Sequence, residues 1–240
     1  MILKNIIQRI QSGYSKGVQS SESRLTSRHI YNKFITVRAK LLREVSNKKQ
    51  KISDWNYQTL NCVELIEIPA HQCPCIPPLG CEILRSKFKL PRPITGLNIH
   101  LIKSVTSITG ENIYSEVSLK EKEYKKGNKF TSNKPDYFME DGYLFLTHIK
   151  GSPRIIKVVL LTGDPLEAKK FESYCEDCVD CTDCESPLDM EFPLDEDMIE
   201  VVITISAVEL IAEFNGRGKE DRTTDSQDDN ATEEQKKKKK

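Results

Sequence analysis

Apolar side chains recur at helical spacing near the start of the chain. Over Met1 to Gln11 isoleucine and leucine return every three to four positions, which predicts a short amphipathic helix that must pack on a partner to persist. A stronger pattern begins after Thr26 or Ser27, either of which suits a helix N-cap. Its apolar positions form one stripe: Ile30, Tyr31, Phe34, Val37, Leu41, Leu42 and Val45. Two helices are therefore predicted before residue 52.

The middle of the chain has a different pattern, with short apolar runs between turn signals, and this favours β-strands. Single strands are predicted over four runs: Cys62–Ile68, Cys81–Leu84, Leu97–Val105 and Val117–Tyr124. A hairpin is predicted from Tyr143–His148 and Ile155–Leu161, joined by the turn at Lys150 to Pro153. The middle therefore reads as a mostly antiparallel sheet.

The C-terminal part combines helical and strand signals. Consecutive Val and Ile residues over 201–203 favour a strand by propensity. Acids in the proposed first turn and a capping Asp195 favour a helix, which is our prediction. From Gly216 onward the composition predicts disorder.

The expected fold class is α+β, with N-terminal helices, a β-rich middle, a C-terminal helix and a disordered tail. We divide the 240 residues into a basic helical arm, a β-rich body, an acidic cysteine-rich loop with the C-terminal helix, and the tail: 1–52, 53–170, 171–214 and 215–240.

Charge is segregated along the chain, although 36 Lys and Arg residues balance 36 Asp and Glu residues. Residues 1–51 contain twelve basic against two acidic residues, a net charge of +10, whereas residues 172–200 contain twelve acids and no Lys or Arg, a net charge of −12. A cationic arm can bind nucleic acid, an anionic membrane or an acidic protein surface, and opposite poles can draw identical subunits together.

The charged helix surfaces are the candidate interface. The residues expected to contact neighbouring subunits are Arg28, Lys33, Arg38, Lys40, Arg43, Asp195, Glu196 and Asp197. The arm lacks the interleaved aromatic residues of a single-strand binding surface, so contact with DNA is expected at its backbone only. No signal peptide or membrane-spanning segment is predicted, and the protein is expected to be made as a soluble intracellular chain.

Four cysteines, Cys175, Cys178, Cys181 and Cys184, are the strongest candidates for chemistry. Four thiolates at this density can bind zinc or form part of an iron–sulfur ligand set, but a zinc site usually takes its ligands from two separated turns. The intervening acids also disfavour the thiolate form. A metal site, a disulfide-linked loop and exposed thiols all remain open, and no cofactor is predicted.

The other candidate ligands are less specific. Cys62, His71, Cys73, Cys75 and Cys81 form a weak zinc pattern, for which structural burial or late disulfides are the simpler interpretation. His29, His100 and His148, like His71, have no nucleophile or acid beside them in sequence. No phosphate-binding glycine-rich loop and no hydrolase or metalloprotease motif occurs, so an enzyme is not expected.

Four runs resemble a structural protein of crAss-like and related tailed phages: residues 23–42, 48–93, 134–146 and 186–200. The most specific run contains WNYQTLNCVELIEIPAHQCPCIPPLGC. The resemblance implies a non-enzymatic virion protein of the neck and tail, made in the host cytoplasm, that forms a homo-oligomeric ring below the portal, typically twelve-fold. It implies contact with the portal and other neck proteins, and it leaves the four-cysteine run and the polylysine end unexplained. The alternative is a small nucleic-acid-binding or zinc-binding accessory protein.

Overall fold

The computed structural model describes residues 1–15, 25–69, 82–97, 100–118, 121, 135–147, 153–172 and 186–214. Helices lie at both ends and strands in the middle, which confirms the α+β class. The chain forms two compact units: residues 1–38 with the chain from 196 onward, called the helical unit, and residues 39–195, called the barrel unit. The predicted tail, residues 215–240, lies outside the described residues.

The longer helices of the described residues are α1 Leu3–Tyr14, α2 Ser27–Asn47, α3 Pro165–Glu172 and α4 over 196–214. The two predicted N-terminal helices and the C-terminal helix are thus confirmed. Thr26 caps α2, because its Oγ1 accepts a hydrogen bond from the His29 N–H at 3.3 Å. α4 begins directly after Asp195, with acids in its first turn as the helix dipole favours.

The helical unit buries one apolar face from each of its three helices. The buried side chains are Leu3, Ile6, Ile7 and Ile10 of α1, Ile30, Tyr31, Phe34 and Val37 of α2, and Ile199, Val202, Ile203, Ala207 and Leu210 of α4. α1 approaches α4 closely at Gly13, where an added Cβ would lie 3.4 Å from the Ala207 Cβ. Helices from opposite ends of the sequence therefore share one core.

The barrel unit is built on seven strands within the described residues: β1 Gln58–Pro69, β2 Glu82–Ser86, β3 Ile102–Ser107, β4 Ile113–Glu116, β5 Asp136–Glu140, β6 Tyr143–Thr147 and β7 Ile155–Leu160. They close into a barrel in the order β1-β2-β6-β5-β4-β3-β7. Every pair is antiparallel except β4 with β5. The predicted antiparallel character is confirmed, and each of the seven described strands pairs with a neighbour on both sides.

Alternation along the strands separates two apolar clusters of the barrel unit. The larger cluster includes Leu84, Leu144, Leu146 and Ile156 and also takes in Phe171 from α3. The smaller cluster carries the alternate residues of the same strands, among them Ile83, Phe138 and Phe145. The Phe138 and Phe145 rings stack with centroids 5.0 Å apart. The sheet is therefore apolar on both faces over β2, β5 and β6.

The predicted hairpin of Tyr143–His148 with Ile155–Leu161 is wrong. β6 pairs with β2 and β5, whereas β7 pairs with β1 and β3. The real hairpin joins β5 to β6 through Asp141 and Gly142, which have φ of 51° and 83°. Two such residues suit the two-residue turn whose twist matches that of the strands, and Asp-Gly is its usual sequence. That sequence signal was present and was missed.

Two further local predictions change. The strand predicted over Val117–Tyr124 lies earlier, at β4, and the described residues 117, 118 and 121 are outside any strand. Helix α3 was not predicted, although Asp164 and Pro165 signal its start. The Asp164 Oδ1 accepts a hydrogen bond from the Leu166 N–H at 2.9 Å.

A buried asparagine holds the end of the barrel unit. Asn56 lies in a short 3-10 helix after α2, Asp54–Asn56, and its Oδ1 accepts a hydrogen bond from the Asp195 N–H at 2.9 Å. Asp195 is the last residue of this unit. The chain therefore leaves the barrel unit beside the segment that leads into β1.

Candidate functional site

An exposed ion pair joins α1 to α4 within the helical unit. The Arg9 guanidinium donates two parallel hydrogen bonds to Glu200, with Nη1 to Oε1 at 2.6 Å and Nη2 to Oε2 at 2.7 Å. This contact raises the pKa of Arg9 and lowers the pKa of the Glu200 carboxyl. The two parallel hydrogen bonds specify the register of α1 against α4. Their contribution to the free energy of unfolding is small, because both side chains are exposed to solvent.

A second set of ion pairs joins α2 to α4. The Lys33 Nζ lies 2.6 Å from a Glu213 oxygen and 2.9 Å from a Glu209 oxygen. The hydrogen bond to Glu213, followed by the one to Glu209, raises the pKa of the Lys33 ammonium. The Phe214 ring packs edge-on against the rings of Tyr14 and His29. Lys33, predicted as an interface residue, thus links two helices of one chain.

The other predicted basic interface residues divide by exposure. Arg38 is completely buried, so its charge is not offered to a neighbouring subunit, and we leave it out of any proposed interface. Arg43 is exposed and its Nε donates a hydrogen bond to the Thr95 carbonyl at 2.9 Å. Arg28 and Lys40 are exposed on α2. The basic surface that remains free for contact is smaller than the sequence indicates.

The acidic candidates lie at the start of α4. Asp195 is half-buried and held through its N–H by Asn56, whereas Glu196 and Asp197 are exposed in the first helical turn. Of this predicted group, Glu196 and Asp197 therefore present carboxylates to solvent. Their position at the helix N-terminus stabilises α4 as well.

The sequence analysis missed an apolar surface on α4. Val201 and Val208 are 48% and 59% exposed, Ala212 is exposed and Ile205 is half-buried. At 100° per residue these four positions fall within about 60° of arc, opposite the buried face of the helix. We call them the α4 stripe. A helix that is apolar on two opposite faces indicates a second partner, and the high density of apolar residues over 198–212 was the signal for it in the sequence.

A basic groove of about 440 Å³ lies in the barrel unit beside the end of α2, lined by Ser46, Lys49, Lys51, Asp54, Tyr57 and Lys103, among others. The Lys103 Nζ lies 2.7 Å from the Asp54 Oδ1, and this contact lowers the pKa of the Asp54 carboxyl. The remaining lysines, Lys49 and Lys51, could contact an anionic group.

The cysteine predictions stand apart from this surface. Cys175, Cys178, Cys181 and Cys184 lie outside the described residues, as do His71, Cys73, Cys75, Cys81 and His148. Cys62 is half-buried on β1. Among the residues that the structure describes, no group of three or more His, Cys, Asp or Glu side chains is arranged to bind a metal.

The remaining histidines differ in exposure. His29 is exposed, with its Nε2 3.9 Å from a Glu213 oxygen. His100 is half-buried, and burial lowers the pKa of its imidazole. Over the described part of the chain, no helix is both long and apolar enough to cross a membrane.

An exposed apolar helix face on the helical unit is suited to contact with another chain. The chain belongs to the family of phage tail ring protein 2 from crAss-like phages, whose model matches residues 5–230. The resemblance seen in the sequence is thereby confirmed. A comparison with curated proteins gives no match. A structural family of the tail fits the expectation of a non-enzymatic virion protein.

Proposed function

We propose that this chain is a non-enzymatic subunit of a closed ring in the head-to-tail connector of a tailed phage, directly below the portal. The observation that carries the proposal is the match of residues 5–230 to the tail ring family. A closed ring of identical subunits requires two different, complementary surfaces on each subunit. Twelve copies is the number we expect, from the resemblance to connector rings.

The distribution of exposed groups supports assembly by protein contact. Lys33 and Arg9 of the helical unit are engaged by carboxylates of the same chain, which accounts for part of the opposite charges at the two ends. What remains exposed is an apolar helix face with acids at one end, together with Arg28 and Lys40. Such a mixture of apolar centre and charged margin is typical of a protein interface.

The expected neighbours are other copies of this chain, the portal protein and further neck and tail proteins. DNA passing through the lumen would be contacted at its phosphates only, for which the groove with Lys49 and Lys51 supplies the appropriate side chains. The protein would lie in the neck of the virion and, before assembly, in the host cytoplasm.

Two measurements together test this proposal. Native mass spectrometry of the purified chain should show a discrete closed oligomer, and symmetry-resolved cryo-electron microscopy of particles should show a ring below the portal that accommodates both units. A chain that stays monomeric at high concentration, with no density for it anywhere in the neck, would remove the ring function. Density elsewhere in the tail would retain the ring but overturn its place below the portal.

A further inference from the structure

The outer face of α4 is an uncovered apolar surface on an otherwise well-packed unit. Val202, Ile203 and Leu210 on its inner face are buried, whereas Val201 and Val208 on the outer face expose about half of their area. Polar side chains would be expected there if this face met only water. The α4 stripe is therefore a docking surface.

The composition of the C-terminal segment is unsuited to covering the stripe. Residues 215–240 follow α4 directly, yet they contain a single apolar side chain, Ala231, among glycines, charged residues, amides and hydroxyl residues. Burying a helix face requires apolar area in return. An apolar surface outside this segment therefore suits the stripe better.

A complementary surface lies on the barrel unit of this chain. Leu97 is 71% exposed, and its N–H is bonded to the Asn47 side chain at the end of α2. Lys40 and Arg43 lie on the exposed side of the same part of α2, and Arg43 is anchored to Thr95, two residues before Leu97. We call Lys40, Arg43 and Leu97 the Leu97 patch. It combines an exposed apolar side chain with basic neighbours.

The two surfaces match in chemistry. The α4 stripe is apolar and begins beside one exposed carboxylate, Asp197, one turn before Val201, while the Leu97 patch is apolar beside an ammonium and a guanidinium. Since the two surfaces belong to different units, contact between the stripe of one copy and the patch of the next is heterologous, which is the kind of contact that generates rings.

We propose that the α4 stripe of each subunit docks on the Leu97 patch of a second copy, and that this contact joins neighbours around the ring. The proposal rests on the ring function proposed above and identifies the surfaces that carry it. The apolar residues supply the affinity, and Asp197 opposite the basic residues sets the direction of docking.

The first test places a charge in the α4 stripe. Val208→Glu keeps helix propensity at an exposed position, and it should weaken self-association at least about tenfold, as expected when a buried valine is lost and a carboxylate is desolvated. The matched control is Ile113→Glu on β4, which is 68% exposed and outside both surfaces. Sedimentation velocity measures the association, and circular dichroism checks the fold. Normal rings from Val208→Glu would overturn the inference.

The second test exchanges charges across the contact. Asp197→Lys and Lys40→Glu should each reduce self-association by about threefold to tenfold at low salt, and the double variant should recover most of the loss. Each single variant should lose the effect in high salt, where the charges are screened. Strict additivity of the two losses would show that these residues do not face each other.

A third test identifies the partner of the α4 stripe directly and does not depend on the charged variants folding normally. A photoreactive benzoylphenylalanine replaces Val208, and cross-linking is carried out on assembled particles. A cross-link to a second copy, on a peptide that contains Leu97, supports the inference. A cross-link to a different virion protein overturns it while leaving the ring function intact. If the unmodified protein forms no ring in solution or in particles, the ring function itself is lost.

Discussion

The helical and barrel units are stabilised by different interactions. The barrel unit pairs all of its described strands around a closed sheet, so its backbone groups are used internally. The helical unit packs three helices from opposite ends of the sequence and holds them with ion pairs, yet it leaves one apolar helix face exposed. The difference is one of what each unit leaves unused: the described strands of the barrel unit are all paired, whereas the helical unit keeps the exposed α4 stripe, for which we propose a second copy as the partner.

Truncation of core side chains should give the largest losses of stability, and each loss should be confined to one unit. Phe34→Ala should cost about 3–5 kcal/mol and Leu146→Ala about 2–5 kcal/mol, because each leaves a cavity in a buried core. We expect hydrogen exchange to show lost protection in α1 and α4 for the first variant and in β2 and β6 for the second. If each variant lowered protection in both units, the two units would not be independently stable, and the chain would unfold as one cooperative unit.

A change in the β5–β6 turn should have an intermediate effect confined to the barrel unit. Gly142 has φ of 83°, and its replacement by alanine should cost about 1–2 kcal/mol, since a Cβ disfavours the left-handed region. Gly163→Ala is the matched control, because an added Cβ there meets only ordinary contacts. Thermal unfolding measures both. Equal losses in the two variants would show that backbone conformation is not the cause.

The ion pairs of the helical unit should give the smallest effect. Lys33→Gln removes a side chain that contacts Glu209 and Glu213, and we expect a loss below about 1 kcal/mol at low ionic strength. At about 1 M salt the difference from the unmodified protein should vanish, because the screening length falls to about 3 Å. Lys4→Gln, at an exposed position on α1 of the same unit, is the control. A loss that persisted in high salt would indicate a packing role for the Lys33 chain.

The local elements were largely predictable, because each depends on a short-range pattern. The stripe from Ile30 to Val45 and the cap at Thr26 define α2 in the sequence, and acids beside Asp195 identify α4 against the strand propensity of its valines. Strand pairing was not predictable in the same way. Nothing local in β6 and β7 indicates that they pair with β2 and β1 rather than with each other.

The candidate surface was only partly predictable. Sequence reasoning found the charged residues, but it could not show that Lys33 meets Glu213 or that Arg38 is buried, since both depend on which helices pack together. The α4 stripe was within reach of the sequence. Its four positions follow the helical period. They were missed because the helix was assumed to have a single apolar face, the one that packs against the core.

The position of the barrel unit in the sequence has a consequence for how this protein could change over time. Residues 39–195 form one continuous segment between the two parts of the helical unit, so the barrel unit is an insertion within the helical one. An insertion at a single place in a sequence can be enlarged, trimmed or exchanged with little change to the sequence around it. Related phages could thus vary the barrel strands while keeping α1, α4 and the first part of α2.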